Sequence, residues 1–143
     1  MPYRYLEHVG DAAIEGSGKT LEEAFAGAAA AMLGLMVRGA ETPAPGRRVR
    51  IEARAQSLEE LLVEFLNELL SRQGLLGLLF TRCEVAHIGR AGGAGFMLEA
   101  EAEGAPPEAL AGRLGTEVKG ASYLGLRVER RNGGYLARVV LDL

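Results

Sequence analysis

The chain has 143 residues and a formal net charge of −3 at pH 7, with 48% hydrophobic and 24% charged residues. These values predict one folded domain over residues 1–143 and argue against intrinsic disorder, and the negative charge argues against a protein that binds nucleic acid through clustered Lys and Arg. The single cysteine, Cys83, excludes an internal disulfide and a cysteine-based zinc site, and without a signal peptide or a long apolar run we expect a cytoplasmic protein.

The N-terminal stretch is predicted to form two short strands. Residues 3–9 are typical of an extended segment, and a second apolar run at residues 12–14 follows Gly10 and Asp11. We interpret Gly16–Gly18 as a turn that leads into a helix. Asp11 stands out because it is a lone carboxylate between two strand-like runs.

A capping box predicts where the first helix begins. The hydroxyl of Thr20 is expected to accept from the amide of Glu23, while the Glu23 side chain reaches back to the amide of Thr20. Apolar residues then recur at helical spacing in one stripe, which comprises Leu21, Ala24, Phe25, Ala28, Met32 and Met36. Residues 37–48 are predicted to form a loop, because two prolines interrupt a polar stretch.

The second helix has the clearest pattern in the chain. Before it, residues 47–54 alternate charged and apolar side chains, as in a strand with one face in water. Ser57 and Glu60 form a second capping box, and we predict a helix that ends near Arg72, with Gly74 just beyond it. Its apolar stripe comprises Leu58, Leu61, Leu62, Phe65, Leu66, Leu69 and Leu70. Its polar face comprises Glu59, Glu60, Glu64, Asn67 and Glu68.

The C-terminal half is predicted to contain two hairpins around a short helix. The expected strands are residues 75–88, 96–102, 117–129 and 134–143, and the short helix is residues 106–114. The pair Asn132-Gly133 is the strongest short hairpin signal available. Because hairpins pair antiparallel, we predict an α+β fold, a two-layer sandwich with a mostly antiparallel sheet and two long helices packed on one face.

Residues 13–20 match a relaxed phosphate-loop pattern, and an apolar strand that ends at Asp142 is similar to the one that holds magnesium in nucleotide hydrolases. The acidic residues 22 and 23 argue against this interpretation, since they would repel a triphosphate at the start of the helix. The hairpin-rich order also disagrees with a parallel sheet. A nucleotide hydrolase that uses Lys19, Thr20 and Asp142 is kept as an alternative function.

Other catalytic patterns are not found in the sequence. His8 and His87 lack the spacing of a metal-binding histidine pair, and we interpret each as a solvated strand residue. Cys83 is interpreted as a core thiol. No serine lies in a nucleophile-elbow sequence. The sequence therefore predicts no catalytic residues.

Asp142 indicates a different kind of site. It follows the apolar run 139–141 and adjoins the terminal carboxylate, so two negative charges meet at the end of a core strand. If the fold brings Asp11 close, three carboxylates share a small volume, and a hard divalent cation such as calcium or magnesium is the usual way to offset their repulsion. The alternative is that both aspartates are exposed strand ends in water.

Four blocks of the sequence resemble the archease family. The first is the N-terminal signature at residues 5–14, 18–25 and 30–32, and the others are residues 58–70, 117–123 and 140–143. The resemblance runs from end to end, in order and at the expected spacing. The chain departs from the family at Val9-Gly10, where Thr-Ala is usual, at Ala12-Ala13, where an aliphatic residue and Gly are usual, and at Leu143, where Ile or Val is usual.

The resemblance implies both a function and a site. Archeases are non-catalytic protein cofactors of the RtcB-type 3′-phosphate RNA ligase, so this protein is expected to promote guanylylation and multiple turnover of that ligase in tRNA splicing or RNA repair. The resemblance also implies a divalent metal ion, calcium before magnesium, held by Asp11, Asp142 and backbone oxygen of Leu143. The expected partner is the ligase, with no direct contact to nucleic acid or membrane. A metal-binding module that serves another partner is a further alternative.

Overall fold

The computed structural model of the protein describes residues 2–7 and 11–143. Within these residues the elements, in chain order, are β1 (Tyr3–Glu7), β2 (Asp11–Gly18), α1 (Leu21–Met36), β3 (Arg47–Ala55), α2 (Leu58–Leu76), β4 (Leu79–Arg90), β5 (Phe96–Ala105), a 3₁₀ turn (Pro107–Leu110), β6 (Gly120–Arg131) and β7 (Gly134–Asp142). The interpretation of His8 as a solvated strand residue falls outside the described residues.

The predicted α+β fold with antiparallel strands is confirmed, but the strands are divided between two sheets. The four-stranded sheet has the order β1-β2-β7-β6, and the three-stranded sheet has the order β3-β5-β4. The helix α1 packs against β2 and β7 of the first sheet and β4 of the second, whereas α2 packs against β3 and β6. Each helix therefore contacts both sheets, and one buried cluster contains residues from both helices and both sheets.

Gly16 and Gly18 do not form the expected turn, because both belong to the strand β2. A Cβ atom on Gly16 would lie 2.1 Å from the carbonyl oxygen of Ala24 and 2.3 Å from the amide nitrogen of Ala28. The backbone of α1 therefore lies directly on the strand, and only a residue without a side chain fits at this contact. The turn prediction was wrong because turns and close backbone contacts both select glycine.

The first helix begins where the capping box predicts. The amide of Glu23 donates to the Oγ1 atom of Thr20 over 3.1 Å. The carboxylate of Glu23 accepts from the amide of Lys19 over 3.4 Å, one residue earlier than the capping-box pattern expects. The predicted start is thus confirmed, with one of its two hydrogen bonds shifted by a residue.

The second helix begins as predicted and ends later. Ser57 accepts from the amide of Glu60 over 3.1 Å, as a capping residue should. The helix then continues past Arg72 and through Gly74, and Gly77 ends it with a left-handed φ of 67°. A glycine inside a helix costs only about 1 kcal/mol relative to alanine, so Gly74 does not stop a helix whose apolar side is buried. The glycine at the end supplies the left-handed residue that a helix terminus favours.

The hairpin prediction at the end of the chain is confirmed. Asn132 and Gly133 have φ angles of 50° and 77°, as a tight two-residue hairpin loop requires. The helix expected at residues 106–114 is only the 3₁₀ turn Pro107–Leu110. Among the residues that the structure describes, no helix has both the length and the apolar character needed to cross a membrane.

Candidate functional site

The residues of the alternative nucleotide site lie far apart. Residues 13–18 are part of a strand that pairs on both sides, and they therefore do not form a phosphate-binding loop. In the ladder between β2 and β7, Gly18 lies at one end, whereas Asp142 lies opposite Asp11 at the other end. About 23 Å of strand thus separates Asp142 from the end that leads to Lys19. The fold does not bring together the groups that a nucleotide hydrolase needs.

The fold does bring Asp11 and Asp142 together. The two residues lie directly opposite each other in the antiparallel ladder of β2 and β7. Residues in this relationship share one face of a sheet, with their Cβ atoms about 4.5–5.5 Å apart. Asp11 is half-buried, and its Oδ1 atom is fully buried, while Asp142 is exposed. The two aspartates therefore form a carboxylate pair at one end of the four-stranded sheet.

The carboxylate pair lies on the outer face of this sheet, the face directed away from the core. Side chains alternate between the two faces along a strand. Leu141 is buried in the core and Leu143 packs against it, so Asp142 between them points outward. Ile14 is also in the core, and Asp11, three positions away on the same strand, points to the opposite face. Asp142 is therefore open to solvent, whereas the Oδ1 atom of Asp11 beside it is covered.

Leu143 adjoins the pair through its backbone alone. Its hydrocarbon side chain packs against the core, so only a backbone oxygen of this residue can act as a ligand. The strand end is held in place because the carbonyl of Asp142 accepts from the amide of Lys119 over 2.8 Å. The groups near this end that could coordinate a metal ion are thus two carboxylates and backbone oxygens.

These oxygen ligands suit a hard divalent cation. Calcium and magnesium prefer carboxylate, carbonyl and water oxygens. Like charges directly opposite each other destabilise a strand pair, and a cation between Asp11 and Asp142 would offset that repulsion. Within residues 2–7 and 11–143, no three His, Cys, Asp or Glu side chains gather into a metal-binding group. An ion at this site would therefore need backbone oxygens and water as its further ligands.

Two further reactive side chains, those of Cys83 and His87, lie on β4. Burial raises the pKa of the Cys83 thiol to about 12, and the carboxylate of Glu84 adds to the effect. A thiol with so high a pKa is a poor nucleophile at neutral pH. Cys83 is partly buried and packs against the margin of the core cluster, whereas a core position was predicted. His87 is exposed on β4, as predicted.

Asn67 has a role that the sequence pattern did not indicate. The prediction placed it on the polar face of α2, but its Oδ1 atom accepts from the amide of Ala121 over 2.8 Å. Its Nδ2 atom donates to the carbonyl oxygen of the same residue over 3.5 Å. Ala121 follows Gly120, which lies opposite Asp142. The asparagine thus attaches α2 to the strand beside the carboxylate pair, and helical spacing carries no signal for a partner 54 residues away.

Comparison with known proteins gives one family. Residues 3–143 match the sequence model of the Archease protein family. "Protein archease" of Methanopyrus kandleri is 33% identical over 143 residues, which are 100% of each chain. "Protein archease" of Thermococcus gammatolerans is 35% identical over 144 residues, which cover 99% of this chain and 98% of that one.

The fold is shared with a solved structure. The solution structure of protein 1598 of Methanobacterium thermoautotrophicum superposes with a TM-score of 0.77 at 26% sequence identity. The superposition covers 99% of each chain. The similarity therefore includes both sheets and both helices.

Proposed function

The chain belongs to the archease family, and from this we propose that it is a non-catalytic protein cofactor of the RtcB-type 3′-phosphate RNA ligase. In this role it promotes guanylylation of the ligase and allows the ligase to turn over repeatedly, in tRNA splicing or RNA repair. The observation that carries the proposal is the family match over residues 3–143, which spans every strand and helix described above.

The positions of the reactive groups support action through binding rather than catalysis. The thiol of Cys83 has a pKa of about 12, which makes it unsuited to nucleophilic attack. Lys19 and Asp142 lie at opposite ends of the β2–β7 ladder and do not form a nucleotide site. The relatives described above are named as proteins and not as enzymes.

A turnover assay tests the ligase role. The ligase is incubated with GTP and an excess of RNA that carries 3′-phosphate and 5′-hydroxyl ends, with and without this protein. We expect the yield of joined RNA per ligase molecule to rise many-fold when the protein is present. An equal yield in both reactions would contradict the proposal. Hydrolysis of GTP or ATP by this protein alone, abolished in Lys19→Ala, would instead favour the alternative nucleotide hydrolase.

We further propose that Asp11, Asp142 and a backbone oxygen of Leu143 hold a divalent metal ion, calcium before magnesium. The arrangement that supports this is the pairing of Asp11 with Asp142 on the outer face of the sheet. The ion supplies positive charge between two carboxylates, and it thereby stabilises the ends of β2 and β7. An ion bound only by the folded chain raises thermal stability by mass action.

Calcium titration of two matched variants tests the metal site. Asp142→Asn removes one charged ligand and should lower calcium affinity by roughly tenfold or more, since affinity follows the number of charged ligands. Glu52→Gln removes an exposed carboxylate from the three-stranded sheet and should leave affinity unchanged. Calorimetry and the calcium-dependent shift in melting temperature are the measurements. If Asp142→Asn binds calcium as tightly as the parent protein, the assignment of Asp142 is wrong.

A further inference from the structure

One row of side chains crosses the outer face of the four-stranded sheet. Arg4 lies opposite Glu15, which in turn lies opposite Arg138. Arg138 lies opposite Arg127 on the fourth strand. We call these four residues the arginine row; at about 4.8 Å between strands, the row is about 14 Å long. The side chains of Arg4 and Arg127 are 67% and 55% exposed, so two of its three guanidinium groups are largely open to solvent.

Glu15 lies close to two of the three guanidinium groups of the row. Its side chain is only 8% exposed, and its Oε1 atom accepts from Nε of Arg4 over 2.5 Å. Its Oε2 atom lies 4.0 Å from Nη1 of Arg138. An arginine has five N–H donors, so the Nε contact leaves the terminal amino groups of Arg4 for another acceptor. A buried carboxylate thus holds two arginines in place on an exposed surface.

A recess of about 240 Å³ opens beside the arginine row. Arg4, Glu15 and Arg131 are among the residues that line it. Arg131 also pairs with Glu129, which leaves its remaining N–H groups for another acceptor. Guanidinium groups bind phosphate oxygens through paired N–H donors. The recess therefore offers donors of the kind that a phosphate group requires.

This half of the outer face is positively charged although the whole chain has a net charge of −3. Its charged residues are Arg4, Arg127, Arg131, Arg138, Glu15 and Glu129, and four arginines against two glutamates leave a formal charge of +2. A positive region on a negative protein complements a polyanion locally.

The corresponding face of the three-stranded sheet has no such excess. Its charged residues are Arg48, Arg50, Arg54, Arg82, Glu52, Glu84, Glu99, Glu101 and Glu103, which leave a formal charge of −1. Arg50, for example, lies 3.3 Å from a carboxylate oxygen of Glu52 and 3.2 Å from one of Glu99. The positive charge is therefore local to this half of the outer face, since Asp11 and Asp142 at its other end bring the whole face to four arginines against four carboxylates.

We propose that the arginine row binds phosphate groups of the RNA on which the ligase acts. This inference rests on the proposed function, because the ligase supplies the RNA. Asp11 lies four residues from Glu15 along β2, about 13 Å away on the same face. The row and the carboxylate pair therefore lie on one face of the sheet, so a ligase that covers this face would bring its RNA within reach of the row. The sequence led to the expectation of no direct contact with nucleic acid partly through the net charge of −3, which does not describe how charge is distributed over the surface.

Binding of RNA to the isolated protein tests the row without the ligase. The probe is a fluorescein-labelled single-stranded RNA with a 3′-phosphate, and the measurement is anisotropy as a function of salt concentration. Arg127→Gln removes one exposed guanidinium. The double substitution Arg4→Gln and Glu15→Gln removes another, and it does not leave the buried Glu15 carboxylate without its arginine partner. Arg50→Gln, on the other sheet, is the matched control. Melting temperatures confirm that each variant is folded.

We expect the row variants to bind RNA several-fold more weakly than the parent protein at low salt. The slope of log affinity against log salt should fall by about 0.7 for each lost phosphate contact. Arg50→Gln should bind like the parent. The proposal is overturned if the parent does not bind RNA at low salt, or if Arg50→Gln weakens RNA binding as much as the row variants do. It is also overturned if a polyglutamate peptide displaces the RNA at equal charge concentration, because the row would then bind an acidic protein.

The turnover assay separates failure of the row from failure of the proposed function. If the protein stimulates the ligase but does not bind RNA, the row fails and the ligase role stands. If it binds RNA through the row but does not stimulate the ligase, the ligase role fails and the row is a phosphate site for RNA from another source.

Discussion

The side-chain oxygen of Gln73 accepts a hydrogen bond from the backbone amide of Phe80 over 2.8 Å, and both residues are buried. The bond connects the last turn of α2 with the start of β4. The Nε2 atom of Gln73 also lies 3.8 Å from the sulfur of Met36 at the end of α1. One buried amide thus links both helices to the three-stranded sheet.

Gln73→Ala is therefore expected to lower the free energy of unfolding by about 1–3 kcal/mol, because it leaves the buried amide of Phe80 without an acceptor. Gln56→Ala removes the other glutamine of the chain, which is exposed, and should change stability by less than about 0.5 kcal/mol. Urea unfolding measures both effects, and hydrogen exchange at the Phe80 amide should become faster only in Gln73→Ala. Unchanged exchange at that amide would show that the bond does not contribute.

Substitution by alanine should change the stability of the protein in opposite directions at two glycines. Gly16→Ala places a methyl group 2.1 Å from a backbone oxygen of α1, which no side-chain rotation can relieve, and should cost about 3 kcal/mol or more. Gly74→Ala lies inside α2 with no atom within 4 Å of the new methyl group, and should stabilise by about 0.5–1 kcal/mol. Thermal unfolding of both variants is the measurement. A stable Gly16→Ala protein would contradict the close contact between helix and strand.

Substituting two leucines of α2 by alanine separates the effect of burial on stability from the effect of helix propensity. Leu62 is fully buried, and Leu62→Ala should lower the free energy of unfolding by about 2–5 kcal/mol through lost burial and a cavity. Leu75 is 78% exposed on the same helix, and Leu75→Ala should be close to neutral. Denaturant unfolding measures both. Equal losses in the two variants would mean that α2 does not bury the face assigned to it.

Cys83 should react slowly while the protein is folded. Its pKa is raised from 9.0 to about 12, chiefly because burial disfavours the thiolate. At pH 8 the thiolate fraction is then about 1000-fold lower than in the unfolded chain, and alkylation by iodoacetamide should slow in proportion. Because the folded pKa lies above the unfolded value, this group stabilises the fold progressively less as pH rises above about 9. Alkylation at the same rate with and without denaturant would contradict the burial of the thiol.

The helices are largely determined by the sequence alone. The capping residues Thr20 and Ser57 and the apolar stripes behind them predicted where α1 and α2 begin and which sides are buried. The Asn132-Gly133 hairpin was also predicted correctly from the sequence. These features depend on residues within about four positions of each other, so a short window of sequence contains the physical information.

The sequence was misleading where a residue type serves two purposes. Gly16 was assigned to a turn but accommodates a helix, and Gly74 was assigned to a helix end but lies inside α2. Asn67 was assigned to solvent but binds the backbone of Ala121. In each case a distant segment decides the role, and its position is not encoded near the residue itself.

The sequence by itself determined the family, the two helices and the aspartates that carry the metal proposal. Only the tertiary structure decided that the strands divide into two sheets and that Asp11 lies opposite Asp142. A shift of one residue in that ladder would turn one of the two carboxylates toward the core, so the site exists only in this register. The arginine row depends even more on strand order, since its four members come from four different strands. Strand order and register are set by packing among segments far apart in the chain, which the periodicity of any one strand does not specify.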